Sequence, residues 1–186
     1  MSIRADGLVL LLVGALLAGC VQTARPPGAA PVVERGRAEK SRDDDLGATV
    51  TKRVRALDPA AFRAVSAKAV GGRVLLTGVV VKPEQRRRAE RTAATVDGAT
   101  EVRNEIQLAE DRAFDQFTPD TARETALLER LAADPAIGSR NLDLRLVNNV
   151  AYVVGTARDA GEIERIRANL TEAPGVKWVV AAVTAP

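Results

Sequence analysis

The chain has 186 residues, 46% of them hydrophobic and 27% charged, with a net charge of +3, no histidine and one cysteine, Cys20. Histidine-based catalysis, internal disulfides and zinc sites of the Cys/His type are therefore excluded, and no nucleophile and base pair, metal cluster or phosphate loop points to an enzyme. The small positive excess is not the balance of a nucleic-acid-binding protein; it suits anionic head groups or acidic envelope polymers, as it suits many soluble domains.

Residues 1–19 have the form of a signal peptide. Arg4 precedes the apolar run Leu8 to Ala18, about eleven residues and too short to cross a bilayer as a helix. The run ends in Leu17-Ala18-Gly19-Cys20, which resembles the lipobox of bacterial lipoproteins. Ala18 and Gly19 leave room for a peptidase, and Cys20 is the expected lipidation site, its thiol carrying diacylglycerol. The plainer alternative makes Cys20 a small apolar residue of an ordinary secretory leader or an uncleaved anchor. Two or three fatty chains, at about 0.8 kcal/mol per buried methylene, would make the anchoring effectively permanent. Val21 stands where an inner-membrane retention signal usually shows aspartate. Resemblance to lipoproteins of two-membraned bacteria thus implies the periplasmic face of the outer membrane. Arg4 and Asp6 leave together with residues 1–19, so the remainder keeps the charge of +3.

Residues 20–42 are rich in Pro, Ala, Gly and charge, with Pro26, Pro27 and Pro31 opposing regular structure. They predict a tether with a reach of roughly 25 Å if flexible. The acidic run Asp43-Asp44-Asp45 lacks the glycine turn and terminal glutamate of a calcium loop, so it is expected to cap a helix, and no metal site is assigned.

Behind that cap Leu46, Val50, Val54 and Leu57 follow helical spacing. Val65, Ala67 and Ala69 then alternate with polar neighbours, Gly71-Gly72 suits a tight hairpin, and Val74, Leu75 and Leu76 form the next strand. A second helix over Pro83 to Val96 carries the stripe Ala89, Ala93 and Val96; Asp97-Gly98 stops it before a strand over Val102 to Leu108. A linker over residues 110–118 holds Phe114 and Phe117, two aromatics expected to pin the flanking segments together.

The same order returns. Thr121-Ala122-Arg123-Glu124 reads as a capping box, followed by the stripe Leu127, Leu128 and Leu131. Leu142, Leu144 and Leu146 alternate, Asn148-Asn149 replaces the glycine pair, and Tyr152 to Val154 form the next strand. Ile163, Ile166 and Leu170 line the second helix where the first copy has Arg86, Ala89 and Ala93, which predicts the larger core in the second copy. An offset of 77 residues, without a gap, carries Gly78 onto Gly155, Gly98 onto Gly175, Val50 onto Leu127, Val65 onto Leu142 and Val102 onto Val179. The fold class is thus α+β, two tandem αββαβ units over residues 43–109 and 119–186, each a small three-stranded mixed sheet packed against two helices. Each unit is about 65 residues, near the lower limit for a single core, so the two are expected to pack on each other.

These residues resemble the BON domain of bacterial envelope proteins. The motif is Val74, Leu76 and Gly78 on the strand, then Gly98, Ala99, Val102, Asn104 and Ile106 after the second helix. The second copy keeps Val153, Gly155, Gly175, Val176 and Val179 but has Ala181 where the family often places asparagine. With the lipobox, the resemblance implies a noncatalytic module, without cofactor, that binds anionic phospholipid, helps maintain outer-membrane integrity and works near envelope-assembly proteins. A protein-interaction adaptor with an envelope or peptidoglycan partner is the alternative.

Gly78 and Gly155 are read as structural glycines at strand ends, and Gly98 and Gly175 as their counterparts after the second helices. The sharpest candidate surface is the basic segment Lys82, Arg86, Arg87, Arg88 and Arg91, with Arg87, Arg91 and Arg88 as lipid-binding candidates. Its other reading is a solvated face, with Glu84 pairing Arg88 and Arg86 pairing Glu90. Trp178, the single tryptophan, either dips into the membrane interface or packs between the copies; packing is expected.

Overall fold

The computed structural model describes residues 35–185. The signal peptide, Cys20 and the first part of the tether lie outside them. Helix α1 (Arg37–Ala56) is followed by strands β1 (Ser66–Val70), β2 (Arg73–Thr77) and β3 (Val79–Val80), helix α2 (Pro83–Ala94), and strands β4 (Glu101–Asn104) and β5 (Gln107–Leu108). Helix α3 (Asp111–Gln116) leads to α4 (Thr121–Ala132), β6 (Leu142–Val147), β7 (Val150–Thr156), α5 (Ala160–Thr171) and β8 (Trp178–Thr184). Each repeat is a three-stranded mixed sheet, in the orders β1-β2-β4 and β6-β7-β8. In each, a hairpin supplies the antiparallel pair and a crossover helix returns the third strand parallel to the second.

The turn chemistry explains both hairpins. Gly71 and Gly72 take φ of 58° and 81°, and Asn148 and Asn149 take 49° and 67°. Two successive left-handed residues match the twist of a two-residue hairpin, and asparagine is the non-glycine residue that tolerates them best.

Side chains on the two faces of each sheet go to different places. Ala67, Ala69, Val74 and Leu76 join Val50, Val54, Ala89 and Ala93 of α1 and α2 in one core. Leu142, Leu144, Leu146 and Val153 join Leu127, Leu131, Ile166 and Leu170 of α4 and α5 in a second. The opposite faces meet each other: Val70, Leu75 and Val79 pack with Val147, Tyr152 and Val154 in a third buried layer. The molecule is therefore a sandwich of two sheets with a helix pair on each outer side. Phe114 of α3 is buried in that middle layer, with the Arg63 guanidinium 4.4 Å above its ring. Burial of such a side chain stabilises by about 2–3 kcal/mol.

The second core does hold the larger side chains, but the first closes the difference by close approach. A Cβ on Gly47 of α1 would lie 3.1 Å from the Ala67 carbonyl oxygen, and Thr51 Oγ1 accepts the Ala67 N–H at 2.8 Å. At the position equivalent to Gly47, Glu124 of α4 accepts the Leu146 N–H at 2.9 Å and pairs with Arg145 at 2.9 Å. Glu124 is thus a buried anchor on the β6 edge. The expected capping box does not form: Asp120 is the N-cap, accepting the Arg123 N–H.

The tether ends sooner than composition suggested. Residues 37–42 already belong to α1, whose start at Gly36 is fixed by the Glu39 carboxylate accepting the Gly36 N–H at 3.0 Å. Asp43 is consequently not a cap. It is buried inside the helix, where it accepts the Gly71 N–H at 2.9 Å and pairs with Arg35 at 2.7 Å. Arg35 continues to the second repeat, donating its backbone N–H to Asn141 Oδ1 at 2.7 Å. Asp143 on β6 draws Lys68 to 3.4 Å, Lys40 to 3.7 Å and Arg35 to 3.9 Å. This seam ties the start of the folded part to both repeats.

At the other end of the seam Gln107 Nε2 of β5 donates to Tyr152 Oη at 2.9 Å and Gln107 Oε1 accepts from Asn148 Nδ2 at 2.8 Å. Burial raises the Tyr152 pKa above the usual phenol value, an effect the Gln107 hydrogen bond partly offsets. A raised folded-state pKa means the native state keeps its proton longer than the unfolded chain, so stability is full below about pH 10 and falls as pH rises beyond it. Tyr152→Phe is expected to cost about 1 kcal/mol at neutral pH and to flatten the decline in urea midpoint above pH 10. An unchanged alkaline slope in that variant would assign the decline to other groups.

Candidate functional site

Helix α2 begins at Pro83 behind Lys82, with Gln85 Oε1 accepting the N–H groups of Lys82 at 2.8 Å and Val81 at 3.1 Å. Its buried stripe is Ala89 and Ala93, small enough to seat the helix closely on the sheet. Helical spacing puts Arg87 and Arg91 on the opposite side, with Arg88 flanking them, and all three are exposed.

The pairings differ from those expected by spacing alone. Glu84 takes Arg87 at 3.2 Å, not Arg88. Glu90 accepts from Asn104 Nδ2 at 3.0 Å, not from Arg86. Arg86 instead donates to the Asn104 carbonyl at 2.9 Å, while Asn104 Nδ2 also donates to the Arg86 carbonyl at 2.9 Å. Asn104 therefore clips α2 to β4. In the second repeat the equivalent residues Ile163 and Ala181 make an apolar contact with the core instead. With Asn104 occupying Glu90, Arg88 and Arg91 carry no ion pair or hydrogen bond among the described residues.

Beside these cations lies a groove of about 410 Å³ between α2 and β4–β5, lined by Pro83, Arg86, Arg87, Glu90, Asn104 and Leu108. Leu108 is 51% exposed. An apolar side chain framed by arginines is the chemistry of an interface with anionic head groups outside and acyl carbon beneath.

A larger cleft of about 700 Å³ opens between α1 and the β1–β2 hairpin. Its charged lining is Glu39, Asp43, Asp45 and Asp97 against Arg35 and Arg42, an acidic excess that disfavours an anionic ligand. Among the described residues no group of three or more His, Cys, Asp or Glu side chains could hold a metal ion. No described helix is long and apolar enough to cross a membrane.

Two other expectations need correction or refinement. Trp178 does not pack between the repeats: it opens β8 at 69% exposure. Gly155 is the next-to-last residue of β7, near the expected strand end, and its φ is not positive. What it requires is space, because a Cβ there would lie 2.3 Å from the Asn141 carbonyl oxygen. Gly78 has both needs, a φ of 115° and a Cβ position 2.1 Å from the Ala64 carbonyl oxygen. Gly98 and Gly175 occupy equivalent turns after α2 and α5 with φ of 91° and 75°. The seam residues Arg35, Asn141 and Asp143 were invisible to sequence pattern, although Asp143 between Leu142 and Leu144 marked a second face in need of a partner.

The BON domain family model matches residues 42–110 and 119–185. The "Uncharacterized protein in gshII 5'region" of Anaplasma centrale is 32% identical over 123 residues, covering 66% of this chain and 82% of its own. Among solved structures, the C-terminal domain of CdsD, the structural protein of the type III secretion system of Chlamydia trachomatis, is 15% identical with a TM-score of 0.32, over 77% of this chain and 67% of that one. A further CdsD structure has the same identity and TM-score over 63% of its length. The matched segments take in both repeats, and the chain belongs to the BON domain family, with two BON domains in tandem.

Proposed function

We propose that the protein is a noncatalytic lipoprotein, anchored through Cys20 on the periplasmic side of the outer membrane, that binds anionic phospholipid and helps maintain membrane integrity. The observation that carries this reading is the α2 surface: Arg88 and Arg91, exposed and without side-chain partners among the described residues, Arg87 beside them, and the exposed Leu108 lining the adjoining groove. Each cation near an anionic surface contributes about 1 kcal/mol. Acyl chains at Cys20 would supply affinity, so α2 would govern orientation and lateral sorting. Contact with envelope-assembly proteins fits the same location, and an adaptor role is the alternative favoured by the exposed Trp178.

The test is co-sedimentation of the Cys20→Ser protein, which lacks acyl chains, with anionic and neutral vesicles at low and physiological salt. Selective, salt-sensitive binding is expected, weakened about tenfold or more by Arg87→Glu with Arg91→Glu, whose melting should not change. Binding that survives both reversals would remove α2 from the surface. Acyl labelling should be abolished by Cys20→Ser; labelling that persists would overturn the anchor.

A further inference from the structure

Among the described residues four strands form the edges of the two three-stranded sheets, and three of them are guarded. On β1 the Ala67 N–H is taken by Thr51, and on β6 the Leu146 N–H is taken by Glu124. Strand β4 presents Glu101, Arg103 and Asn104, followed by Glu105. Charges and side-chain caps of this kind keep an edge from pairing with another chain.

Strand β8 carries no such protection of its own among the described residues. Among the described residues it pairs only with β7, and Trp178 to Thr184 contains neither charge nor proline. The offset between the repeats shows what has been exchanged: Glu101 corresponds to Trp178, Arg103 to Val180, Asn104 to Ala181 and Glu105 to Ala182. Every polar position of the guarded edge is apolar in the other. Trp178, 69% exposed, begins it.

We infer that β8 is the interface of a two-fold dimer, in which the free edge of β8 pairs antiparallel with the same edge of a second copy. The strand is complementary to itself. Pairing centred on Ala181 sets Trp178 opposite Thr184 and Val180 opposite Ala182 on one face, and Val179 opposite Val183 on the other. Large side chains meet small ones on the first face, and no like charges oppose each other. Arg73 donates to Thr184 Oγ1, so the indole of one copy lies beside a guanidinium of the other, a favourable pairing. The two three-stranded sheets become one of six strands. This interface is on the second repeat and does not depend on the lipid surface of α2.

Sedimentation velocity of the Cys20→Ser protein from about 1 to about 100 µM should show a concentration-dependent dimer. Val180→Arg restores the charge that the equivalent strand carries and should weaken the dimer tenfold or more. Ala181→Cys in the same background should form a disulfide-linked dimer on oxidation, since residues opposed on the axis of an antiparallel pair have Cα atoms about 4.5–5.5 Å apart. That readout requires no destabilising change. A monomer across the whole range, or a dimer that neither cross-links through Ala181→Cys nor responds to Val180→Arg, overturns the inference; association with another protein's strand is the reading a strict monomer would leave.

Discussion

Gly78→Ala is expected to destabilise the protein by about 3–5 kcal/mol, among the largest effects of any single methyl group in the chain. Two costs coincide there. The φ of 115° is one that a residue with a Cβ adopts only under strain, of order 1–2 kcal/mol. The added Cβ would also sit 2.1 Å from the Ala64 carbonyl oxygen, 2.9 Å from its carbon and 3.0 Å from Val65 Cα. Those atoms are backbone, so no rotamer relieves the overlap. Relief requires moving the segment that enters β1, which disturbs the Ser66 to Thr77 end of the β1–β2 ladder. Two comparisons separate the costs. Gly155→Ala meets the Asn141 carbonyl oxygen at 2.3 Å without the positive φ, and should cost about 2–4 kcal/mol. Gly71→Ala has a φ of 58° but nothing within 4 Å of its Cβ, and should cost about 1 kcal/mol. Urea midpoints give the order directly. Equal losses for Gly71→Ala and Gly78→Ala would show that backbone angle, not the crossing carbonyl, sets the requirement.

The equivalence of Ala64 and Asn141 above those glycines shows why the repeat was legible in the sequence. The same carbonyl crosses the same strand in both units, so only glycine leaves it room, and the left-handed residues of the hairpin turns favour Gly or Asn. Alternation and helical spacing located the strands and the inner helix faces for the same reason: burial on one side leaves a period. The start of α1 left no such mark, because residues 37–42 carry charges compatible with helix as well as with a tether. Nor did the pairing on α2, where the partner of Glu90 comes from Asn104 on another element and overrides the local spacing. Trp178 was ambiguous for a third reason. Its strand is apolar on both faces, and only the placement of the other sheet reveals that cover ends before Trp178.

Glu162→Ala is expected to cost about 3–5 kcal/mol, whereas Gln85→Ala at the equivalent position in the first repeat should cost about 1 kcal/mol. Both residues occupy the third position of a crossover helix and fold back on the chain before it. Gln85 uses a single oxygen, on the N–H groups of Val81 and Lys82, in a half-exposed site where water can replace it. Glu162 is 3% exposed and uses both oxygens. Oε1 accepts the Gly138 N–H at 2.6 Å; Oε2 accepts the Arg158 N–H at 2.8 Å and its Nε at 3.0 Å. An amide cannot reproduce that set, since either orientation turns an NH₂ group toward a donor. Glu162→Gln should therefore cost about 2 kcal/mol. The reverse exchange, Gln85→Glu, should be neutral to slightly stabilising, because it keeps the acceptor and places an anion at a helix N-terminus. Thermal denaturation of the four proteins tests the asymmetry. If Glu162→Gln melts with the parent protein, the second oxygen is dispensable and the loop around Gly138 is held by other contacts.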